Sequence, residues 1–473
     1  MGLVKNTSFY TIGAVLPKIG AFVFLPIYLK YLTPSDYGIV SSLHVLNTIF
    51  IVLFTLSMPR ALYRVYYDYK CTEEKKTLFG TVLISVFTIA ILSMFLLFLL
   101  KKHVQEIYES IAFYPYFAIA IVTVFIQALH IIPNIIFQIK ERADLFVIIN
   151  VLLFFFKSMI CLWFIVGLDR GALGYLEAEL IASIVFLPIY YSFMYDEINL
   201  SWDKNIFKNV LNFSLPIIPG ILSAWILNLS DRIFIERFFS TTEVGIYSLG
   251  YQISGLVLIF SVAFKKAYDP YFYKIANSRS LHFAKRQLYN TNFIFVIVLL
   301  FATFVISFFA KEGIELFLDK KYYLSIQIIP IISLAYLFSQ NSALLNTMMY
   351  QEKKTHFVMY ITIISAILNI LLNYLLIPRI GIMGAAYATL LSFLMVFISS
   401  YLLAKKTYFI PYNSKGILTV LAILGPIYYI FKIIPFSNLY ISLIAKIVIV
   451  FIIIVTFFRK FKADILIMFK QTK

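Results

Sequence analysis

About fourteen apolar stretches, each long enough to cross a bilayer, run through this chain and leave few folds open to it. A hydrocarbon core about 30 Å thick is crossed by roughly 20 apolar helical residues. Stretches of that kind lie at 7–32, 37–59, 78–100, 111–137, 145–167 and 171–195. They resume at 209–238, 243–265, 291–310, 326–350, 357–377 and 381–404, with two more at 414–434 and 439–458. Lipid offers no partner to backbone N–H and C=O groups, so the expected fold is an all-α integral membrane protein. Of 473 residues, 62% are hydrophobic and only 13% charged, where soluble domains carry about a quarter charged residues. Lys5 precedes the first stretch, which is too long for the core of a secretory signal and is followed by no small-residue cleavage pattern. It reads as a retained helix.

The formal net charge of +17 would suit a nucleic acid, but the basic residues sit in short loops between apolar stretches. That placement is what the positive-inside bias produces. With the N-terminus inside, the cytoplasmic segments are Lys5, the loops 60–77, 138–144, 196–208, 265–290, 351–356 and 405–415, and the tail after Phe458. They hold about 26 Lys and Arg, against about 9 in the opposite loops. Both termini are therefore expected in the cytoplasm, with no nucleic acid as partner.

The chain also repeats itself. Thr33-Pro34-Ser35-Asp36-Tyr37-Gly38-Ile39 is echoed by Ser240-Thr241-Thr242-Glu243-Val244-Gly245-Ile246, so that Gly38 and Gly245 stand 207 positions apart. Arg170-Gly171-Ala172-Leu173-Gly174 is echoed by Ile380-Gly381-Ile382-Met383-Gly384, with Gly171 and Gly381 210 apart. The expected organisation is a six-helix lobe over 1–195, a cytoplasmic linker over 196–208, a second six-helix lobe over 209–404, and two additional helices with a basic tail over 405–473. Six is even, so the two lobes run in the same direction. Parallel repeats of this kind occur in alternating-access carriers.

Charges inside the apolar stretches are the candidate functional groups, because such residues face a protein interior or a water-filled cavity. They are Lys18, Lys30, Lys157, Arg232 and Lys446, with the carboxylates Glu177, Glu179 and Asp231. Lys30, near the outer end of its stretch, is also placed to snorkel to the interface. Asp231 and Arg232 are adjacent, point about 100° apart on a helix and need not pair. Pro17 and Pro26 in the first stretch, and Pro216, Pro219 and Gly220 in the seventh, predict kinks.

Other chemistries find no support. Cys71 and Cys161 form no disulfide framework or CxxC pair. His44, His103, His130, His282 and His356 are scattered, and HExxH, Walker A and GxSxG motifs are missing. Neither a cofactor nor a metal is expected.

Asp231-Arg232 followed by Glu243-Val244-Gly245-Ile246-Tyr247-Ser248 resembles the seventh and eighth helices of the bacterial polysaccharide (O-antigen, capsule) flippases. Gly381-Ile382-Met383-Gly384-Ala385-Ala386-Tyr387-Ala388-Thr389 resembles the start of that family's twelfth helix. Leu25-Pro26-Ile27-Tyr28-Leu29 through Pro34-Ser35-Asp36-Tyr37-Gly38 is similar to its first two. These are the Wzx-type members of the multidrug/oligosaccharidyl-lipid/polysaccharide exporter (MOP) superfamily, and the similarity covers about residues 3–404. The resemblance implies two six-helix lobes plus two C-terminal helices. It further implies translocation of an undecaprenyl-diphosphate-linked oligosaccharide across the bacterial cytoplasmic (inner) membrane, with a polysaccharide polymerase and chain-length regulator as partners.

A cargo with a diphosphate needs cations in an otherwise apolar lumen. Lys18, Lys30, Lys157 and Arg232 are the candidate substrate-binding cations. Glu177 and Glu179 are candidates for proton coupling or, through one of them, for neutralising Lys157. Asp231 is a coupling or ion-pair candidate. Lys446 lies outside the repeat and either lines a groove for the lipid or pairs with a carboxylate. A lipid II or multidrug exporter of the same superfamily is the alternative, although two lysines and no acid on the first stretch favour an anionic cargo. A membrane polymerase or ligase fits poorly. The longest outward loop, 311–325, offers no acid–base pair beyond Glu312, Glu315 and Asp319.

Overall fold

The computed structural model describes residues 3–277, 281–408, 410–434, 436 and 438–470, with the side chains of 3–12, 14, 15, 18, 281–283 and 457–470 outside that description. No strand occurs among the described residues. Thirteen helices there are long and apolar enough to cross a membrane, and a shorter apolar stretch, Ile19–Tyr31, occupies the first expected span. The protein is a multi-pass membrane protein.

The chain divides into two compact units, Met1–Gly245 and Ile246–Lys473. The first unit opens with α1 (Leu3–Tyr31), which contains Pro17 and Pro26, followed by α2 (Pro34–Thr55). Thr33 caps α2: its hydroxyl accepts from the Asp36 amide while the Asp36 carboxylate accepts from the Thr33 amide, and Pro34 takes the first turn. This is a capping box, in which two orphan backbone donors are satisfied reciprocally. Leu56 and Ser57 then take positive φ and turn the chain into the short α3 (Met58–Val65). The segment 60–77, expected as a loop, is therefore partly helical. Met58, Ala61, Leu62 and Val65 bury one side of α3, and that burial holds the helix.

Next come α4 (Thr72–Leu99), α5 (Lys101–Ile107), α6 (Ala118–Ile139), α7 (Ala143–Leu162) and α8 (Gly171–Ser192). The core of the unit gathers on α6, where Ile121, Val124, Ile132, Ile136 and Phe137 meet Phe54 of α2, Phe79 and Val82 of α4, and Tyr190 of α8. The expected seventh stretch is three helices rather than one: α9 (Lys204–Ser214), α10 (Ile218–Leu229) and α11 (Asp231–Phe238). Pro216 and Pro219 account for the first break, because proline removes a helical donor. The unit's last residues begin α12 (Thr241–Ser254).

In the second unit, α13 (Leu256–Ala276) carries on through the stretch expected as the start of a loop, and α14 (Leu281–Phe308) starts before that loop was expected to end. Tyr268 donates to Asn292 at 2.6 Å and Phe264, Tyr268 and Phe272 stack along α13, so the basic stretch has a buried face to hold it. Then follow α15 (Ala310–Phe317), α16 (Ser325–Gln351), α17 (Thr355–Ile380), α18 (Ile382–Ala404), α19 (Ser414–Ile433) and α20 (Leu439–Lys470). Ile328, Ile332, Ala335, Leu344, Leu345 and Met348 of α16 are buried, as are Ala385, Ala386 and Ala388 of α18. Small residues let helices approach closely in lipid. At Gly384 a Cβ would stand 2.5 Å from the Leu376 oxygen, and Gly381, at φ +63°, makes the turn between α17 and α18.

Candidate functional site

Four polar residues of α2 share one face. Tyr37, Ser41, His44 and Thr48 follow each other by four, three and four residues, which stacks them along one side of a helix. His44 is exposed, yet it lies within electrostatic reach of Glu179, Lys157 and Arg232, from three other helices. The histidines are scattered in sequence, and His44 was not among the candidate residues. The signal was the spacing of polar residues along α2.

Lys157 of α7 reaches Glu179 of α8, with Nζ 2.6 Å from Oε1 and side-chain exposures of 26% and 14%. Its ammonium also stands 5.0 Å from the centre of the Tyr175 ring. Gln127 of α6 donates to the same carboxylate oxygen at 3.5 Å. Tyr28 of α1 packs edge-on to Tyr175 and donates to the Ser158 carbonyl. One helical turn above Glu179, Ser183 holds His130, so that second histidine is bound to the core.

Asp231 and Arg232 pair with each other after all, with Arg232 Nη1 2.7 Å from Asp231 Oδ1 and side-chain exposures of 5% and 2% for Arg232 and Asp231. Ser230, with helical φ/ψ, joins α10 to α11. Asp231 opens α11, its carboxylate accepts from the Arg232 amide, and the guanidinium turns back to the Asn228 carbonyl at 2.7 Å.

The other candidates lie elsewhere. Lys30 is exposed in the last turn of α1. The side chain of Lys18 lies outside the described residues. Glu177 binds Arg170 at 2.8 Å and, two residues before Glu179, points to the other side of α8. Lys446 belongs to the second unit, where its ammonium sits 2.8 Å from the Glu312 carboxylate and 2.7 Å from the Phe308 carbonyl. Ser442 donates to the same carboxylate at 2.6 Å. With side-chain exposures of 8% and 1%, Lys446 and Glu312 are buried together. A cavity of about 620 Å³, where α4 begins and α8 ends, is lined by Glu73, Lys76, Tyr191 and Asp196 and by none of these intramembrane charges.

The repeated turns fold against each other. Asp36 Oδ1 accepts from the Ala172 amide at 3.1 Å, which ties the first turn to the Gly171 start of α8. Ser35 and Thr241 share a hydrogen bond at 2.7 Å. Beside it, a Cβ on Gly38 would lie 1.7 Å from the Thr241 oxygen, and one on Gly245 would lie 2.0 Å from the Pro34 oxygen. Glu236 accepts from the Ser110 amide at 2.8 Å, and Arg237 binds Glu109.

A family model described as "Polysaccharide biosynthesis protein" matches residues 3–276, more than half of the chain. The chain belongs to this family. Within the MOP superfamily, a second model, MatE, matches residues 216–375 of this polysaccharide biosynthesis protein. A membrane protein of Haemophilus influenzae is 23% identical over 351 residues, covering 72% of this chain and 83% of that one. A Haloferax volcanii protein named "Probable low-salt glycan biosynthesis flippase Agl15" is 23% identical over 230 residues, 48% of each chain. The fold matches a solved structure, the lipid II flippase MurJ in an inward closed conformation, with TM-score 0.77 at 13% identity over 95% of this chain and 99% of that one. That likeness shows the MOP-like fold.

Proposed function

We propose that this polysaccharide biosynthesis protein is a flippase, carrying an undecaprenyl-diphosphate-linked oligosaccharide, an O-antigen or capsule repeat unit, across the bacterial cytoplasmic membrane by alternating access. The observation that carries the reading is the group of charges in the first unit: Lys157 and Glu179 on the membrane-length helices α7 and α8, and the buried Asp231–Arg232 pair at the start of the short α11. Lys157 and Arg232 are the cations that meet the diphosphate, and Lys18 and Lys30 extend the set along α1. Glu179 and Asp231 hold the two cations in place while no cargo is bound, and Glu177 holds Arg170. Phosphate oxygens accept from ammonium and guanidinium donors as a carboxylate does, so an arriving diphosphate exchanges with these counter-ions. The lipid tail stays in the bilayer, which limits what the protein has to shield to the head group and glycan. The Agl15 relative, named for glycan flipping, supports a saccharide cargo. Both termini are placed in the cytoplasm by the distribution of basic residues, and a polymerase and chain-length regulator act on the product.

The test is leaflet-resolved accessibility of the lipid-linked oligosaccharide in proteoliposomes, comparing wild type with Lys157→Ala and Arg232→Ala. Protein-dependent translocation that either change abolishes in a folded protein supports the reading. Translocation that both changes leave intact removes the site assignment. Transport of lipid II or a cationic drug instead, with none of the oligosaccharide, assigns the chain to the other branches of the superfamily.

A further inference from the structure

The segment 196–203, expected as part of a cytoplasmic linker, lies down along the start of α4. The Asn199 amide donates to the Lys76 carbonyl at 3.2 Å, the Asp203 amide to the Thr81 hydroxyl at 3.1 Å, and the Trp202 indole to the Ser85 hydroxyl at 3.1 Å. Lys76 and Ser85 are roughly 13 Å apart along the helix axis. A Cβ on Gly80 would stand 1.7 Å from the Asn199 oxygen, so the two backbones touch. Leu200 and Trp202 remain exposed. Their place beside a membrane-length apolar helix, with the indole held at the depth of Ser85, puts them at the edge of the hydrocarbon rather than in water.

The cavity of about 620 Å³ lies where this segment, the start of α4 and the end of α8 come together. Its lining has two characters: Glu73, Lys76 and Asp196 are charged, whereas Leu83, Met194 and Leu200 are apolar. The apolar part continues beyond the cavity. Leu83, Phe87 and Ile91 follow each other by four residues on one side of α4, and the last two are exposed. On α8, Ile184 stands seven residues before Tyr191 and is exposed as well. Both helices pack against α6. The three charges sum to −1. Lys76 stands 3.6 Å from Glu73, and Glu197 next door is taken by Lys140 at 2.8 Å. Asp196 is exposed and forms no ion pair among the described residues.

We propose that this cavity binds the head group of a zwitterionic aminophospholipid, phosphatidylethanolamine. The primary ammonium of the lipid donates to the Asp196 and Glu73 carboxylates, and its phosphate accepts from the Lys76 ammonium. The acyl chains leave along the Leu83–Phe87–Ile91 side of α4. Phosphatidylglycerol, with a phosphate and no ammonium, would bring a second negative charge to a site that already carries one. Phosphatidylcholine has a quaternary ammonium and no N–H to donate. The bound lipid bridges the start of α4, the end of α8 and the segment leading into α9. It is a resident of the membrane rather than the cargo, so the site does not depend on the flippase reading.

Native mass spectrometry of the purified full-length protein, released from nanodiscs of equal parts phosphatidylethanolamine, phosphatidylglycerol and phosphatidylcholine, tests this. Wild type is expected to retain one phosphatidylethanolamine about three- to tenfold more often than either other lipid. Glu73→Gln combined with Asp196→Asn should lose that preference, and Lys76→Met should retain less of the lipid. All three side chains are at least partly exposed, so the variants should melt with wild type in phosphatidylcholine alone. Phosphatidylcholine or phosphatidylglycerol retained as often as phosphatidylethanolamine would overturn the proposal. A preference that survives in the Glu73→Gln, Asp196→Asn protein would place the lipid elsewhere and overturn the site. Glycerophosphoethanolamine, the same head group without acyl chains, should displace the lipid poorly. Displacement at equal concentration would assign the cavity to a soluble phosphoethanolamine compound instead.

Discussion

The backbones of Gly38 and Gly245 pass so closely that a Cβ on Gly38 would stand 3.1 Å from the Gly245 nitrogen, and one on Gly245 would stand 3.0 Å from the Gly38 nitrogen. The two turns that the sequence repeats are thus each other's packing partners. Neither position has space for a methyl group, because the nearest atoms are backbone.

Gly38→Ala and Gly245→Ala should therefore each destabilise the protein, by about 1–3 kcal/mol or more, as overpacked sites do. Gly313→Ala is the control, since a Cβ added there in α15 would meet nothing within 4 Å, and alanine should stabilise by about 0.5–1 kcal/mol. Thermal unfolding in detergent reads both. Equal melting temperatures for Gly38→Ala and Gly313→Ala would contradict the close crossing.

Lys157→Met leaves the Glu179 carboxylate without its cation. A half-buried pair of this kind should lose about 1–3 kcal/mol, less than the roughly 3–5 kcal/mol of a fully buried one. Lys157→Met combined with Glu179→Gln should regain most of that stability, yet remain inactive in translocation. A double variant that recovers both would show the pair to be structural only.

In the second unit the Lys446–Glu312 pair is buried, and the same experiment should give the opposite split. Lys446→Met alone should lose about 3–5 kcal/mol, whereas Lys446→Met with Glu312→Gln should approach wild-type stability and translocate normally per folded molecule. Loss of translocation in a stable double variant would return Lys446 to a role at the lipid.

Topology is open to cysteine labelling. Cys71 is exposed and Cys161 buried, so Cys71→Ser gives a quiet background. A cysteine at Tyr195, which is 85% exposed, should react with an impermeant maleimide only from the cytoplasmic side, and one at Phe317, 68% exposed, only from the opposite side. Labelling with the sides reversed would invert the orientation.

Length and apolarity alone determined the helical membrane fold, since lipid leaves the backbone no other way to pair its polar groups. The approximate positions of most spans, the proline break near 216–219 and the kinship with the polysaccharide biosynthesis proteins were likewise legible in order and spacing, whereas the ends of several helices were not. What the sequence did not determine is which charges meet. Lys157 and Glu179 are 22 residues apart on separate helices, and only packing of α7 against α8 brings them to 2.6 Å. Asp231 and Arg232 pair at the α10–α11 junction although adjacent residues need not do so, and Lys446 meets Glu312 across 134 residues of chain. His44 carried a weak periodic signal along α2, but its charged neighbours come from elements far away in sequence. Local spacing fixes which side of a helix a residue occupies, whereas tertiary packing decides what stands opposite it.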